Sequence, residues 1–475
     1  MSDHQAANRP NVMLVMSDQQ RFDTLGYLGK TLCQTPHMDR LATEGVSFER
    51  AMTPCPLCLP SRAALFTGRY PHENDMMDNT TGSLVECQLL DTFRAGGYKV
   101  SYAGKWHLGQ DNIGRFTDHF AGDSTAFYSA WCADQGLVDG WTFNDARVRT
   151  HRTPSMSTPV ALPLDMPPET TNDAYIADIA IEHLRMRDRD RPFFQVCSFN
   201  GPHPPFVIPE PYFSMYDPAL VEEPPNFGPL DHEPEVNRTS YYRKLFLDHG
   251  TDFDAWRKSY AVYWGFTSLI DDQLGRILAE LETQGVLEST IVIYLSDHGE
   301  NLGAHGLWHK MVAYEESIRI PLIIRWPEHL QSGLRSHLPV SLIDVAPTLA
   351  SLCNLPRHPN WRGEDLGAEA RGDNTVLEDR ALFALHRPLG DWMGTEPWRM
   401  IQKDGHKLIW HLGNGPELFN LEFDPFEMNN LALQADASTT VQLLHRELMN
   451  VMRETGDPLV SMAENALEIV SITAK

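Results

Sequence analysis

The chain has 475 residues, an ordinary apolar content of 42% and a formal net charge of −25. This length excludes a single small module and allows either one large α/β domain or two unequal domains. The negative charge disfavours nucleic acid and anionic membrane surfaces as partners, so a small anionic substrate would need a local pocket of positive charge.

The sequence shows no sign of a membrane span or of export. No apolar run approaches the roughly 18 to 20 residues that a spanning helix needs. The first ten residues, MSDHQAANRP, lack a basic region followed by an apolar stretch, so we expect a cytoplasmic protein. Seven cysteines, an odd number spread along a long chain, indicate reduced thiols rather than a disulfide framework.

Along the chain, short apolar runs alternate with helical patterns, which is typical of βαβ units. The pattern predicts an α/β fold in which a large, mostly parallel mixed sheet is flanked by helices. Helical spacing of apolar residues predicts one helix near 176–184 and another near 270–281 that ends at Gly285. The predicted strands are 11–16, 98–102, 193–199 and 290–295.

The pattern changes at about residue 380. Two strand-like runs flank Asp404-Gly405, a strong hairpin signal, and a helix follows with Val441, Leu444, Leu448 and Val451 on one face. We therefore predict a large α/β domain over residues 1–378 and a smaller α+β subdomain with an antiparallel sheet over residues 379–475.

Two other segments have less regular patterns. The segment 206–255 is rich in proline, aromatic and acidic residues, and this composition predicts a long surface excursion near the site. The apolar tail 467–473 fits either a subunit interface in a homo-oligomer or docking on its own subunit.

Polar residues follow each predicted strand. Because ligands bind outside the carboxyl ends of strands in open α/β sheets, these four exits are expected to line one crevice. Carboxylates and an imidazole suit calcium, magnesium or manganese, although a salt-bridged loop would use the same residue types. The residues are Asp18 and Gln19 after the first strand, Lys105 and His107 after the second, His203 after the third, and Asp297 and His298 after the fourth.

The stretch 55–69, CPLCLPSRAALFTGR, contains two cysteines at the spacing of a metal or redox motif. Pro60 and Gly68 suit the two ends of a short helix, so Cys58 would lie at the positive end of the helix dipole, a position that favours an anion. Arg62 would share its helical face. A zinc site would need a second cysteine or histidine pair at suitable spacing, and the sequence has none. A thioredoxin-like motif would leave Pro60-Ser61-Arg62 unexplained.

Residues 58–69, read as Cys-x-Pro-Ser-Arg-x-x-x-x-Thr-Gly-Arg, resemble the signature of the formylglycine-dependent type I sulfatases of the alkaline phosphatase superfamily. The resemblance extends over nearly the whole chain. Further similar segments occur in the family's order at 104–109, 201–203, 296–300, 306–310, 314–324 and 418–431.

The resemblance implies that a maturation enzyme converts Cys58 to formylglycine, whose hydrate attacks sulfur. It also implies one divalent metal ion, with calcium favoured and manganese or magnesium as alternatives, held by Asp18, Gln19, Asp297, His298 and the modified Cys58. Arg62, Lys105 and Lys310 would bind the sulfate oxygens, and Asn79 would face the substrate. The implied catalytic residues are Cys58, Arg62, Lys105, His107, His203 and Lys310, with His107 beside the formylglycine and His203 near the leaving group.

The implied activity is that of an arylsulfatase-like sulfuric ester hydrolase, which cleaves an aryl, alkyl or sugar sulfate to alcohol and sulfate. The sequence departs from many relatives at Gln19, where a second aspartate is common, and at His298, where asparagine is common.

A phosphonate monoester or phosphodiester hydrolase is the nearest alternative. Those enzymes tend to carry hydroxyl side chains where this chain has Lys105 and His107, which favours the sulfatase. A non-catalytic metal-binding relative is a further alternative, disfavoured by the full set of site residues.

Overall fold

The computed structural model describes residues 9–80, 82–109, 112–121, 124–137, 161–231, 233–373, 377, 379–387, 396–434 and 437–464. The strands in these ranges are β1 (Asn11–Ser17), β2 (Val46–Met52), β3 (Lys99–Gly104), β4 (His119–Ala121), β5 (Ala161–Leu164), β6 (Phe193–Ser198), β7 (Phe206–Pro209), β8 (Thr290–Ser296), β9 (Leu322–Arg325), β10 (Leu334–Ser341), β11 (Leu382–His386), β12 (Trp398–Lys403), β13 (His406–His411) and β14 (Gly415–Asn420).

The helices follow the same order along the chain. They are α1 (Pro36–Glu44), α2 (Cys58–Thr67), α3 (Gln88–Ala95), α4 (Ser124–Asp134), α5 (Asn172–Arg185), α6 (Glu235–Thr239), α7 (Tyr241–His249), α8 (Phe253–Thr283), α9 (Glu315–Ile318), α10 (Val345–Leu352), α11 (Gly367–Ala370) and α12 (Ser438–Glu454).

The main sheet has eight strands in the order β10-β2-β9-β8-β1-β6-β3-β4. Every strand runs in the same direction except β9, which pairs antiparallel with both β2 and β8. The predicted α/β fold with a mostly parallel mixed sheet is therefore confirmed. The four predicted strands are β1, β3, β6 and β8, and these occupy neighbouring positions at the centre of the sheet.

Helices cover both faces of this sheet, which explains why its central strands are apolar on both sides. Along β1, Met13 and Val15 face a core shared with α5 and α8, whereas Leu14 and Met16 face a second core shared with α2, α3 and α10. Both predicted helices are present as α5 and α8, and Gly285 after α8 has a left-handed φ of 67°. The central strands therefore have a fixed register, and their exits are held rigidly.

A second sheet, antiparallel in the order β11-β12-β13-β14, forms the C-terminal part. Its central hairpin turns at Asp404 and Gly405, whose φ values of 50° and 72° suit a tight two-residue turn. The apolar face of α12 packs against it, as the spacing of its apolar residues predicts. The domain boundary between residues 378 and 379 stays a prediction, and the tail 467–473 lies outside the described residues.

The segment 206–255 differs from its prediction. It contains β7, α6 and α7, and Tyr242, Leu245 and Phe246 of α7 are buried in the main core. The aromatic residues account for the difference, because they pack against Trp256 and its neighbours instead of facing solvent. Only part of the segment is therefore the surface excursion that its proline and acidic residues predicted.

None of the helices in the described ranges combines the length and the apolar character that crossing a membrane requires.

A buried ion pair fastens the C-terminal sheet to the segment after α12. Arg399 on β12 donates from Nε and Nη2 to the two oxygens of Asp457, at 2.5 and 2.9 Å, and both side chains are fully buried. Removing one partner would leave the other charge buried without a counter-ion. Asp457→Ala should therefore lower the free energy of unfolding by about 3–5 kcal/mol in a denaturant titration.

The matched control is Asp248→Ala, which breaks the exposed pair between Lys244 and Asp248 on α7 and should cost at most about 0.5 kcal/mol. Burial works against ionisation of Asp457, but the hydrogen bonds and charge of Arg399 outweigh it and lower the pKa. The stability from this pair is thus present above the unfolded-state pKa and is lost as the pH falls. Equal losses in the two variants would contradict the prediction.

Candidate active site

The exits of the four central strands meet at one edge of the main sheet. Asp18 follows β1 directly, Lys105 follows β3 and Asp297 follows β8. The backbone N–H of Asp18 donates to the carbonyl of Gly201 beyond β6, at 3.0 Å, so the exits of β1 and β6 are also tied together. The exits of the four strands therefore meet at one edge of the sheet, as the sequence analysis predicts.

Cys58 is the first residue of α2, and Leu57 before it is extended. Gly68 ends the helix with a φ of 64°, as its sequence predicts. The Cys58 side chain thus lies at the positive end of the helix, with Sγ 3.1 Å from His298 Nε2 and 3.7 Å from Asp18 Oδ1. Cys55 is buried outside this group, and the burial raises the pKa of its thiol.

Asp18, Cys58, Asp297 and His298 form a buried cluster in which one ligand atom of each lies within 4.8 Å of the others. The Nδ1 atom of His298 donates to the carbonyl of Gly299 at 3.0 Å, which directs Nε2 to the cluster. Four potential ligand atoms from three separate segments therefore converge on one point.

The donor set of this cluster fits a divalent cation. The Oδ2 atom of Asp18 accepts from Arg62 at 3.1 Å and from Lys105 at 2.5 Å, and the Oδ2 atom of Asp297 accepts from Arg62 at 2.9 Å. The Oδ1 atoms of both carboxylates instead lie 4.0 and 3.7 Å from His298 Nε2. Hard carboxylate oxygens and one imidazole suit calcium, manganese or magnesium.

Gln19 lies next to this cluster with its side chain engaged elsewhere. Its amide oxygen accepts from Lys310, and its amide nitrogen contacts Glu300 and His309 Nδ1. The part of Gln19 that reaches the cluster is its backbone N–H, which donates to Asp297 Oδ1 at 3.1 Å. Its role as a metal ligand stays a prediction.

Arg62 is fully buried beneath the two carboxylates. Besides Asp18 and Asp297, its guanidinium donates to the carbonyl of Lys105 at 2.8 Å and to Ser198 Oγ at 2.7 Å. Four of its five N–H groups are thus engaged inside the protein. The predicted contact of Arg62 with sulfate stays a prediction, because the described contacts are those of a residue that holds the carboxylates in place.

Lys105, Lys310, His107 and His203 surround Cys58. Burial disfavours the Cys58 thiolate, but Lys105, Lys310 and His298 outweigh burial and lower the pKa of the thiol, and the neighbouring His107 adds to this effect. His203 is also a neighbour of Cys58, and its Nδ1 donates to the carbonyl of Pro204 at 2.7 Å, so Nε2 is the atom left for the site. The structure thus brings all four predicted side chains together.

Asn79 occupies a different position from the other predicted residues. Its side-chain oxygen accepts from the backbone N–H of Leu59 at 3.1 Å. This bond satisfies one of the free N–H groups in the first turn of α2. Asn79 therefore helps to fix the helix that begins at Cys58, and its contact with substrate stays a prediction.

The charged groups of the cluster shift one another's pKa values. Burial raises the pKa of Asp297 further than its cationic neighbours lower it, and the adjacent Asp18 adds to the rise. Burial and Cys58 would raise the pKa of Asp18 as well, but Lys105, His203 and Arg62 hold it well below its usual range. Burial, then Lys310, lowers the pKa of His203 to about 4.

Two residues that support the site were not assigned by the sequence analysis. Glu300 is fully buried and accepts from the backbone N–H groups of Leu302 and His309, at 2.9 and 2.6 Å. Asp173 on α5 accepts from the backbone N–H groups of Asn200 and Gly201, at 2.8 and 3.1 Å. Glu300 lies within a motif that the sequence analysis singled out, whereas nothing in the sequence around Asp173 marks its role.

Comparison with known proteins identifies the family. The sulfatase family profile matches residues 10–355. The chain belongs to the sulfatase family. A second profile, for the C-terminal part of N-sulphoglucosamine sulphohydrolase, matches residues 303–454 of this sulfatase. The protein is thus a sulfuric ester hydrolase of the alkaline phosphatase superfamily, as the sequence resemblance implied.

Three relatives illustrate the extent of the similarity. The sulfatase is 31% identical over 460 residues to the uncharacterized sulfatase YidJ of Escherichia coli strain K12, covering 95% of this chain and 89% of that one. It is 29% identical to an arylsulfatase of Clostridium perfringens, with 94% and 96% of the two chains covered. The crystal structure of a phosphonate monoester hydrolase of Agrobacterium radiobacter matches with a TM-score of 0.79 at 25% identity, covering 94% and 96% of the chains.

The two carboxylates of the cluster are expected to dominate metal binding. Asp297→Asn removes one negative charge, so it should weaken binding of calcium or manganese at least about tenfold in a calorimetric titration. The control is Asp118→Asn, which changes an aspartate that accepts from the backbone N–H of Val100 outside the cluster and should leave the affinity unchanged. The prediction is wrong if Asp297→Asn binds the metal as tightly as the unchanged protein.

Proposed function

We propose that this sulfatase hydrolyses a sulfate monoester to alcohol and sulfate, using a nucleophile made from Cys58. One observation carries the proposal: Cys58 begins a helix within hydrogen-bond distance of His298, next to Asp18 and among the lysine and histidine side chains. We further propose that a maturation enzyme converts the Cys58 side chain to formylglycine, and that Asp18, Asp297 and His298 hold calcium in preference to manganese or magnesium.

Local charge supports a small anionic substrate. The chain has a net charge of −25, yet Lys105 and Lys310 both lie close enough to Cys58 to lower the pKa of its thiol. Lys105 also bonds to Asp18, so its ammonium is fixed in position before substrate arrives. Fixed cations of this kind would stabilise the charge that builds up on the sulfate oxygens in the transition state.

The bound metal ion would act as a Lewis acid, and formylglycine hydrate would supply a hydroxyl group as nucleophile. The side chains of this protein would do the remaining work. Lys105 and Lys310 would bind and orient the sulfate, and Arg62 would keep Asp18 and Asp297 ionised. His107, which contacts the Cys58 side chain, would remove a proton from the residue at position 58.

His203 would serve the leaving group. Its Nδ1–H donates to the carbonyl of Pro204, which leaves Nε2 for the site. The negative charge of a bound sulfate ester would favour the protonated ring, whose Nε2–H would donate a proton to the departing oxygen of the alcohol or phenol. Positioned proton donors of this type typically contribute about 10²- to 10⁴-fold to the rate. Aryl, alkyl and sugar sulfates would all accept a proton at the same atom.

A phosphonate monoester or phosphodiester hydrolase is the second candidate, because the solved structure of a phosphonate monoester hydrolase matches at a TM-score of 0.79. The same cations and metal would stabilise phosphoryl transfer, so a side activity on phosphorus esters is expected. Lys105 and His107, in place of hydroxyl side chains, favour a sulfate monoester as the main substrate. A cytoplasmic location and a homo-oligomeric state stay predictions.

The modification can be measured directly. The tryptic peptide that contains Cys58, taken from protein made in the native host, should weigh about 18 Da less than the unmodified peptide. Cys58→Ala should abolish turnover of 4-nitrophenyl sulfate, whereas Cys55→Ala, three residues away and outside the cluster, should retain it. An unmodified thiol in active protein from the native host would contradict the proposed nucleophile.

Substrate class can be tested with matched esters. The value of kcat/KM for 4-nitrophenyl sulfate should exceed that for 4-nitrophenyl phenylphosphonate, since Lys105 and His107 suit a sulfate monoester. Both activities should vanish in Cys58→Ala, which controls for a contaminating hydrolase. A large preference for the phosphonate would establish the second candidate instead.

A further inference from the structure

The loop that carries Lys310 has an unusual backbone. Leu302, His305, His309 and Met311 have φ values of 50°, 53°, 69° and 77°, in the left-handed region that residues other than glycine rarely adopt. Two of these, His309 and Met311, flank Lys310 directly. Such a conformation persists only where surrounding contacts determine it, so the partners of this loop decide where Lys310 lies.

One set of partners comes from the main domain. The backbone N–H and the side chain of Asn301 both donate to the carbonyl of His309, at 2.7 and 2.6 Å. Glu300 accepts from the N–H of His309 at 2.6 Å. These contacts fix the chain on the N-terminal side of Lys310 and leave its C-terminal side to other partners.

The C-terminal side is held by the antiparallel sheet. Four hydrogen bonds join this sheet and the turn after it to residues 311–315. Trp398 Nε1 on β12 donates to the carbonyl of Met311 at 2.9 Å, and Lys407 Nζ on β13 donates to the carbonyl of Ala313 at 3.0 Å. The Tyr314 hydroxyl donates to Glu417 on β14 at 2.9 Å. The backbone N–H of Glu315 donates to Glu427, in the turn after β14, at 2.7 Å.

These contacts lie away from solvent. Lys407 is fully buried, and its ammonium group also pairs with Glu315 and Glu427, at 2.6 and 2.7 Å. Trp398 is 2% exposed. Hydrogen bonds in such a low-dielectric environment are electrostatically stronger than in water, and a partner left alone there is costly. The sheet is therefore a firm support for residues 311–315.

We propose that the C-terminal sheet positions Lys310, with Trp398 as the main positioning residue. Trp398 binds the carbonyl of Met311, the first residue after Lys310 and the one with the largest φ among the non-glycine residues of the loop. Without that bond the Met311 peptide group is free to rotate, and the lysine side chain moves with it. This inference rests on the proposed function, because it takes Lys310 as a sulfate-binding group.

A double-mutant cycle tests the proposal. Trp398→Phe removes the indole N–H and keeps an aromatic ring, and it is measured alone and together with Lys310→Ala. Misplacing a reacting group by about 1 Å can cost about 10²-fold in rate. We expect Trp398→Phe to lower kcat/KM for 4-nitrophenyl sulfate at least tenfold in the otherwise unchanged protein and less than threefold when Lys310 is already absent. Calorimetric binding of inorganic sulfate should follow the same pattern.

Trp410→Phe is the matched control. Trp410 lies on β13 of the same sheet and is fully buried, and its indole N–H has no hydrogen-bond partner among the described residues. This variant should lose stability through repacking but keep its kcat/KM. If circular dichroism shows that Trp398→Phe does not fold, Glu427→Gln replaces it in the same cycle, because it weakens the pair with Lys407 and keeps an oxygen for the N–H of Glu315.

The double-mutant cycle distinguishes the positioning role of the C-terminal sheet from the proposed role of Lys310 in sulfate binding. Equal losses from Trp398→Phe with and without Lys310, or an equal loss in Trp410→Phe, would overturn the positioning role of the sheet. Unchanged turnover and unchanged sulfate binding in Lys310→Ala would instead overturn the proposed role of Lys310, and with it this inference.

Discussion

The buried guanidinium of Arg62 is the contact on which the rest of the site depends. It bridges Asp18 and Asp297 and also bonds to Lys105 and Ser198, so one side chain joins the exits of β1, β3, β6 and β8. Two carboxylates side by side in a low-dielectric interior repel each other and resist ionisation. Arg62 offsets this repulsion at the Oδ2 atoms, while the Oδ1 atoms lie near Cys58 and His298 in the candidate metal cluster. The site therefore combines two buried carboxylates with a set of potential ligand atoms for a cation.

Much of this arrangement could be predicted because it depends on local signals. Asp18 and Asp297 each follow a short apolar run directly, and parallel strands bring their carboxyl ends to one edge whatever lies between them. Cys58 precedes a helix whose ends are marked by Pro60 and Gly68. In these cases secondary structure and topology alone decide where the side chain lies.

Features that depend on packing between distant segments could not be predicted. A helical pattern puts Arg62 on the same face as Cys58, but it does not reveal that four acceptors from other segments would engage the guanidinium. The hydrogen bond between Asn79 and the backbone of Leu59 could not be predicted for the same reason. In the segment 206–255, proline and acidic residues indicated exposure, whereas the aromatic residues of α7 pack into the core and decide the outcome.

The bonds from the C-terminal sheet to residues 311–315 bear on the order of events during synthesis. Because translation runs from the N-terminus, the ribosome synthesises the strand exits, α2 and Lys310 well before the residues of the C-terminal part that bind this loop. These later residues are Trp398, Lys407, Glu417 and Glu427. A nascent chain that ends between these two groups already contains every residue of the candidate metal cluster, yet lacks the contacts from the C-terminal sheet to residues 311–315. Those contacts are thus completed late in translation, when the last strands have emerged and packed against the loop.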